Sequence, residues 1–76
     1  MKNLLLKIVE HLVDNPDEIQ INVIEGKGSM VLELKVAKFD IGKVVGKKGR
    51  TAQSIRTILS AASAKSKKRI MLEILD

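Results

Sequence analysis

The stretch DIGKVVGKKGRTA, residues 40–52, decides the interpretation of this chain. Asp40 is a favourable N-cap residue, and Ile41–Val45 predicts a very short helix. The segment GKKG, residues 46–49, then interrupts the helix, because glycine permits tight turns and a close approach of the backbone to a bulky ligand. Apolar residues at helical spacing predict a second, longer helix over residues 50–64.

The loop at 46–49 combines backbone donors with positive charge. It leads into the start of a helix, where free N–H groups and the positive end of the helix dipole favour anions. Lys47 and Lys48 add two mobile charges, and Arg50 follows at once. This combination suits a phosphodiester backbone. In the alternative interpretation, the glycines only shape a tight turn and the three basic residues are solvated.

Other phosphate-binding motifs fail on spacing. A P-loop needs Gly, four residues, and then Gly-Lys-Ser/Thr. Five positions after Gly42 the chain has Lys47, and the Gly-Lys pair at that point is followed by Lys48. The dinucleotide fingerprint fails too, because the Gly-Lys-Gly at 26–28 lacks a third glycine at Val31 and precedes a strand. Nucleotide hydrolysis is therefore unsupported.

The remaining periodicity gives the element order. An apolar stripe predicts a helix over about residues 3–14, ended by the Asn15-Pro16 pair. Alternating residues predict strands around Ile19–Val23, Met30–Val36 and Ile70–Ile74, the first two joined by a hairpin turn. A right-handed crossover makes the second and third strands parallel neighbours. We expect an α+β fold, α-β-β-α-α-β, with a three-stranded mixed sheet and all helices packed on one face.

The chain is short enough for a single domain over residues 1–76, with one core and with Phe39 as a core plug. The predicted inward-facing residues are Leu4, Leu5, Ile8, Val9, Leu12, Ile19, Ile21, Val23, Leu32, Leu34, Val36, Ile55, Leu59, Ala62, Ile70, Leu72 and Ile74.

Composition excludes several function classes. There is no Cys and one His, so no thiol nucleophile, Cys-based zinc site or multi-histidine metal site is available, and we expect no cofactor and no enzyme. The net charge of +5 is uneven: residues 1–40 carry −2 and residues 41–76 carry +7, which attracts polyanions. One aromatic residue argues against base stacking on an RRM-like sheet. His11 is predicted to be a surface helix residue.

No segment predicts a membrane span, since the longest uninterrupted apolar run is three residues. The N-terminal helix carries acidic residues within its apolar pattern and lacks a small-residue cleavage site, so we do not interpret it as a signal peptide. The expected location is the cytoplasm.

Residues 41–50, IGKVVGKKGR, strongly resemble the signature of KH domains, with 46–49 as the GXXG loop. The predicted element order resembles the type II, prokaryotic arrangement, and the resemblance covers nearly the whole chain. It extends to residues 12–17 and to the helix around 55–57. At that level the chain is similar to the small stand-alone bacterial KH proteins of the KhpA type.

The resemblance implies a non-catalytic protein that clamps about four nucleotides of single-stranded RNA at the GXXG loop, with bases in an apolar groove. The groove's helical wall would be Ile41, Val44 and Val45, although these could equally be core residues. Gly42 is predicted mainly to allow close packing. The predicted RNA-binding residues are Ile41, Gly42, Lys43, Val44, Val45, Gly46, Lys47, Lys48, Gly49, Arg50 and Ile55, and the auxiliary ones are Lys65, Lys67 and Lys68, which could also be a solvated loop.

Two alternatives stay open at this point. The chain could be mainly an assembly module, forming a homodimer or a heterodimer with a larger KH-domain protein of the KhpB type, as the resemblance implies. It could also bind single-stranded DNA, which shares the electrostatics. The resemblance further implies a role in post-transcriptional regulation or as an RNA chaperone, linked in some bacteria to cell shape or division.

Overall fold

A computed structural model describes residues 1–75 and contains the predicted elements in the predicted order. Short 3-10 turns connect them. The helices are α1 Lys2–Glu10, α2 Ile41–Val45 and α3 Arg50–Ala62, the strands are β1 Gln20–Gly26, β2 Ser29–Lys35 and β3 Arg69–Ile74, and the 3-10 turns are Pro16–Glu18, Lys38–Asp40, Lys47–Gly49 and Ala64–Ser66.

The three strands form one mixed sheet in the order β1-β2-β3. β1 and β2 are antiparallel around their tight hairpin, whereas β2 and β3 are parallel. The parallel pair requires a crossover, and α2 and α3 supply it, returning the chain from the end of β2 to the start of β3. The predicted α+β fold with a three-stranded mixed sheet is confirmed.

The core lies between one face of the sheet and the two longer helices. Leu32 and Leu34 of β2 are fully buried, and they pack in one cluster with Leu5 of α1 and with Ile55 and Leu59 of α3. Residues of the opposite sheet face, such as Ile24 and Met71, are exposed. The inward alternation of the strands and the apolar stripes of the helices therefore meet in a single layer, as the sequence predicted.

Both long helices end earlier than predicted. α1 stops at Glu10, and the chain then tightens into a turn in which the His11 N–H bonds to the Ile8 carbonyl at 3.3 Å. α3 stops at Ala62, which is exposed, so its predicted place in the core is wrong. The buried residue at this helix end is Ser63, whose hydroxyl donates to the Ser60 carbonyl at 3.2 Å.

Phe39 is the largest departure from the predicted core, because its side chain is 90% exposed. It lies in the 3-10 turn Lys38–Asp40, between β2 and α2. In so short a turn only some residues can face inward, and the buried position is taken by Asp40, which is 0% exposed. The prediction of a core plug is therefore wrong.

Candidate nucleic-acid interface

The loop between α2 and α3 has an unusual backbone over three of its four residues. Gly46, Lys48 and Gly49 have φ values of 76°, 57° and 74°, all in the region that favours glycine. The Gly46 N–H donates to the carbonyl of Gly42 at 2.9 Å, and the Gly49 N–H donates to the carbonyl of Gly46 at 3.1 Å. These bonds hold the loop in one tight turn, and Lys48 is kept in a conformation that non-glycine residues rarely adopt.

The two glycines of the loop have different roles. A side chain at Gly46 would place its Cβ 2.8 Å from the backbone nitrogen of Thr51, and closer still to the Thr51 hydroxyl. At Gly49 an added Cβ would meet no atom within 4 Å. Gly46 is therefore required by the fold, whereas the absent side chain of Gly49 leaves open space above the backbone.

Positive charge surrounds this open space. Lys47, Lys48 and Arg50 are at least partly accessible to solvent, and within residues 1–75 none of the three forms an ion pair. α3 begins directly after the loop with no side-chain cap and with no acidic residue in its first turn. The positive end of the α3 dipole and its first N–H groups are thus unopposed by side-chain acceptors. The structure brings these predicted phosphate contacts together.

Lys43, also a predicted RNA contact, is engaged elsewhere. Its ammonium group forms an ion pair with Asp14 and a second one with Asp40, at 3.3 Å. The hydrogen bond to Asp14 is the main reason that the pKa of Lys43 lies above its ordinary value of 10.5; partial burial opposes this effect and Asp40 reinforces it. Lys43 is therefore a neutralised charge beside the loop, unlike Lys47 and Lys48.

Asp40 joins the segment after α1 to the start of α2. Its carboxylate accepts hydrogen bonds from the backbone N–H groups of Asp14 and Asn15 at 3.2 and 3.0 Å, and from the Asn15 amide at 3.2 Å. Burial by itself raises the pKa of Asp40, but these donors and Lys43 outweigh it and lower the pKa below 3.8. The predicted N-cap bond is not formed, because the carboxylate is turned toward these partners. No local pattern signals partners 25 residues away.

The apolar residues predicted to line a groove divide into two sets. Val44 and Ile55 are 0% and 2% exposed and belong to the core, so their side chains are not accessible to a ligand. Ile41 and Val45 are only partly buried and remain available. Gly42 is exposed, and a Cβ there would meet nothing within 4 Å, so its predicted role in close packing is wrong.

The auxiliary lysines lie at the other end of α3. This helix has 13 residues, which corresponds to about 19 Å. Lys65 and Lys67 are exposed, whereas Lys68 forms an ion pair with Glu25 at 3.0 Å. The structure therefore separates this cluster from the GXXG loop and removes one of its charges by pairing.

Metal-binding clusters are absent from residues 1–75. No group of three or more acidic or histidine side chains is placed to hold a metal ion there. His11 is exposed, as predicted, with its Nδ1 2.7 Å from the Lys7 carbonyl oxygen. In the same range, no helix combines the length and apolar character that crossing a bilayer requires.

Two helices joined by a GXXG loop, laid on a mixed sheet in the order α-β-β-α-α-β, define a KH domain of the type II arrangement. Within that class, the chain belongs to the KhpA/KhpB family, because the family model "KhpA/KhpB, KH domain" matches residues 2–74. Relatives of this chain carry the name RNA-binding protein KhpA.

Several curated relatives cover nearly all of the chain. The RNA-binding protein KhpA of Borreliella burgdorferi is 54% identical over 69 residues, which are 91% of this chain and 84% of the relative. KhpA of Clostridium acetobutylicum and KhpA of Caldanaerobacter subterraneus are each 52% identical over 75 residues, 99% of this chain and 100% of each relative. No solved structure matches significantly.

Proposed function

We propose that this chain binds single-stranded RNA non-catalytically, with the GXXG loop as the clamp on the sugar-phosphate backbone. One observation carries the proposal: three cations without an ion pair in residues 1–75, Lys47, Lys48 and Arg50, surround the open space above Gly49 at the uncapped start of α3. The names of the relatives, RNA-binding protein KhpA, support the same ligand class.

In this proposal the loop and α2 have separate tasks. Phosphates contact Lys47, Lys48 and Arg50, and the bare Gly49 lets a phosphate approach the backbone N–H groups. The bases lie over α2, where Ile41 and Val45 are partly exposed and Gly42 leaves free space. Unpaired bases suit this surface because their faces and edges are accessible.

The test is the double variant Lys47→Asp/Lys48→Asp, assayed by fluorescence anisotropy with labelled oligoribonucleotides. We expect the fold to persist, because both side chains are exposed, and RNA binding to be lost. A matched pair of single variants controls for the charge reversal itself. Lys47→Asp should weaken RNA binding, whereas Lys27→Asp, the same reversal outside the loop, should weaken it much less. Lys27 follows Gly26 in the hairpin turn, at the opposite end of the sheet from the loop. Unchanged RNA affinity in the double variant would contradict the loop assignment.

Competition with a DNA oligomer of the same sequence addresses the nucleic-acid class. RNA alone offers the 2′-hydroxyl, so we expect the RNA oligomer to compete more strongly. Equal competition by both would favour a general single-strand binder. For the cellular role, we propose post-transcriptional regulation or RNA chaperoning, tested by crosslinking and sequencing of the bound transcripts.

A second candidate function is assembly, as a homodimer or with a larger KH-domain protein of the KhpB type. A row of apolar residues in register on the outer sheet face favours it: Val31 pairs with Ile24 on one side and with Met71 on the other. Ile24 and Met71 are 49% and 42% exposed. Met71→Lys should abolish any self-association seen by sedimentation velocity, whereas Gln53→Lys, the same charge gain at an exposed position of α3, should not.

A further inference from the structure

We propose that Phe39 is a stacking platform for one nucleobase of the bound strand, next to the α2 surface. This inference rests on the proposed RNA binding and adds a base-binding position to it. Stacking against a phenyl ring is open to every base, because every base has a π-face. Phe39 would therefore add affinity with little sequence preference.

The first argument is the exposure of Phe39. It is the single aromatic residue of the chain, and 90% of it is accessible to solvent. Burial of a large apolar side chain is a major source of stability, and Phe39 contributes almost nothing of this kind to the core. Sheet stacking of the RRM kind needs aromatic residues on a sheet, whereas this one stands alone on a turn.

The second argument is the rigid support of the ring. Phe39 directly precedes Asp40, whose carboxylate is fixed by Asp14, Asn15 and Lys43. The Asp40 N–H also donates to the Ala37 carbonyl at 2.8 Å, which closes the turn around Phe39. The backbone that carries the ring is thereby held in place, so that stacking would cost little conformational entropy.

The third argument is a groove lined by residues that come before and after Phe39 in the chain. Lys38, which precedes it in the chain, and Ile41, two residues after it, line an open groove together with Lys35, Val36, Ala37 and Glu18. Within residues 1–75, neither Lys35 nor Lys38 forms an ion pair. The groove therefore offers an apolar floor for a base beside two free cations, against one carboxylate.

The fourth argument is continuity with the GXXG loop. α2 is five residues long, which corresponds to about 7.5 Å. Phe39 precedes this helix and the loop follows it, so α2 alone separates them along the chain. Ile41 belongs to both surfaces, since it lines the groove and is partly exposed on α2. A strand held at the loop could therefore reach Phe39 within a few nucleotides.

The test uses Phe39→Trp and Phe39→Leu. The chain has no Trp and no Tyr, so Phe39→Trp introduces a single fluorophore with no background. Both variants should fold normally, because substitutions at so exposed a site have little effect on stability. The probes are eight-nucleotide oligouridine and oligoadenosine, with affinity measured by anisotropy and stacking by quenching of the indole emission.

The expected result for Phe39→Trp is quenching of its indole emission by both oligomers, with affinity at least equal to that of the unchanged chain. Phe39→Leu keeps an apolar side chain without the ring, and its affinity should fall by about 5- to 150-fold. The variant Ile58→Leu, an apolar change at an exposed position of α3, is the control and should bind as the unchanged chain does.

Failure of this inference is distinguishable from failure of the proposed function. If the unchanged chain binds the oligomers while Phe39→Leu binds equally well and Phe39→Trp is not quenched, the stacking site is refuted and RNA binding stands. If the unchanged chain binds neither oligomer, both proposals fail. If the indole emission of Phe39→Trp responds to protein concentration without RNA, position 39 is a protein contact and the stacking site is again overturned.

Discussion

Gly46 and Thr51 are packed so closely across the GXXG loop that no side chain fits at position 46. A Cβ there would lie 2.8 Å from the Thr51 nitrogen, on a backbone with φ at +76°. We therefore predict that Gly46→Ala lowers the free energy of unfolding by about 2–4 kcal/mol, from backbone strain and overpacking together. Urea unfolding measures this value.

Gly49→Ala is the matched comparison at the other end of the loop. Its φ of +74° carries the left-handed penalty of about 1–2 kcal/mol, but the added Cβ meets no protein atom within 4 Å. We expect this variant to fold and to bind RNA weakly, because the methyl group occupies the space proposed for a phosphate. Equal loss of stability in the two variants would contradict the distinction between these glycines.

Gly42→Ala should separate stability from binding. Gly42 lies within α2, where alanine is favoured over glycine by up to about 1 kcal/mol, and the new Cβ has free space. We predict unchanged or higher stability together with weaker RNA binding, because the methyl group would project into the proposed base surface. Thermal unfolding and anisotropy on the same sample test both parts. Unaltered affinity would place the bases elsewhere.

The salt dependence of RNA affinity reports the number of phosphate contacts. Each contact on a single strand contributes a slope of about −0.7 in a plot of log affinity against log salt concentration. Lys47, Lys48 and Arg50 should therefore give a slope of about −2, and Lys47→Ala should reduce its magnitude by about 0.7. If the RNA affinity of the unchanged chain did not depend on salt concentration, binding through phosphate contacts would be excluded.

Acid stability should depend on Asp40. The pKa of this carboxyl is lowered below 3.8 in the folded chain, so its contribution to stability is present above the pKa of the unfolded chain and is lost as pH falls through the folded pKa. Asp40→Asn should lower the midpoint of thermal unfolding at neutral pH and should remove this loss at acid pH.

The control for Asp40 is Asp17→Asn, an exposed acid in the 3-10 turn before β1. Its unfolding midpoint should stay close to that of the unchanged chain at neutral pH. If Asp40→Asn also left the midpoint unchanged, the carboxylate would not be the link that fixes the segment after α1 to the start of α2.

Local patterns predicted the elements that are built from local interactions. The bounds of α2, Ile41–Val45, follow from an apolar segment between Asp40 and Gly46. The alternation in β1 and β2 and the glycines of the hairpin predicted both strands and their antiparallel pairing. The predicted ends of α1 and α3 lie beyond the observed ones. Helix termini depend on individual hydrogen bonds, such as that from the Ser63 hydroxyl to the Ser60 carbonyl, which periodicity does not reveal.

The sequence predicted which residues form the candidate site, but not which of them are buried or ion-paired. The sequence indicated Lys43 with the same weight as Lys47 and Lys48, since a basic residue within a motif carries no sign of its partners. Pairing with Asp14 and Asp40 distinguishes it in the structure. Likewise, Val44 and Ile41 are both apolar residues of one short helix. Only tertiary packing shows that Val44 is buried and that Ile41 is partly exposed.

The element order, the sheet, the GXXG loop and the excess of positive charge after residue 40 can all be predicted from the sequence, because hydrophobic periodicity, glycine positions and charge are local properties of the chain. The tertiary structure alone decided which charges are paired, which glycine is sterically required, and that Phe39 faces solvent while Asp40 is buried. These outcomes depend on neighbours that are distant in the chain, so no local pattern contains them.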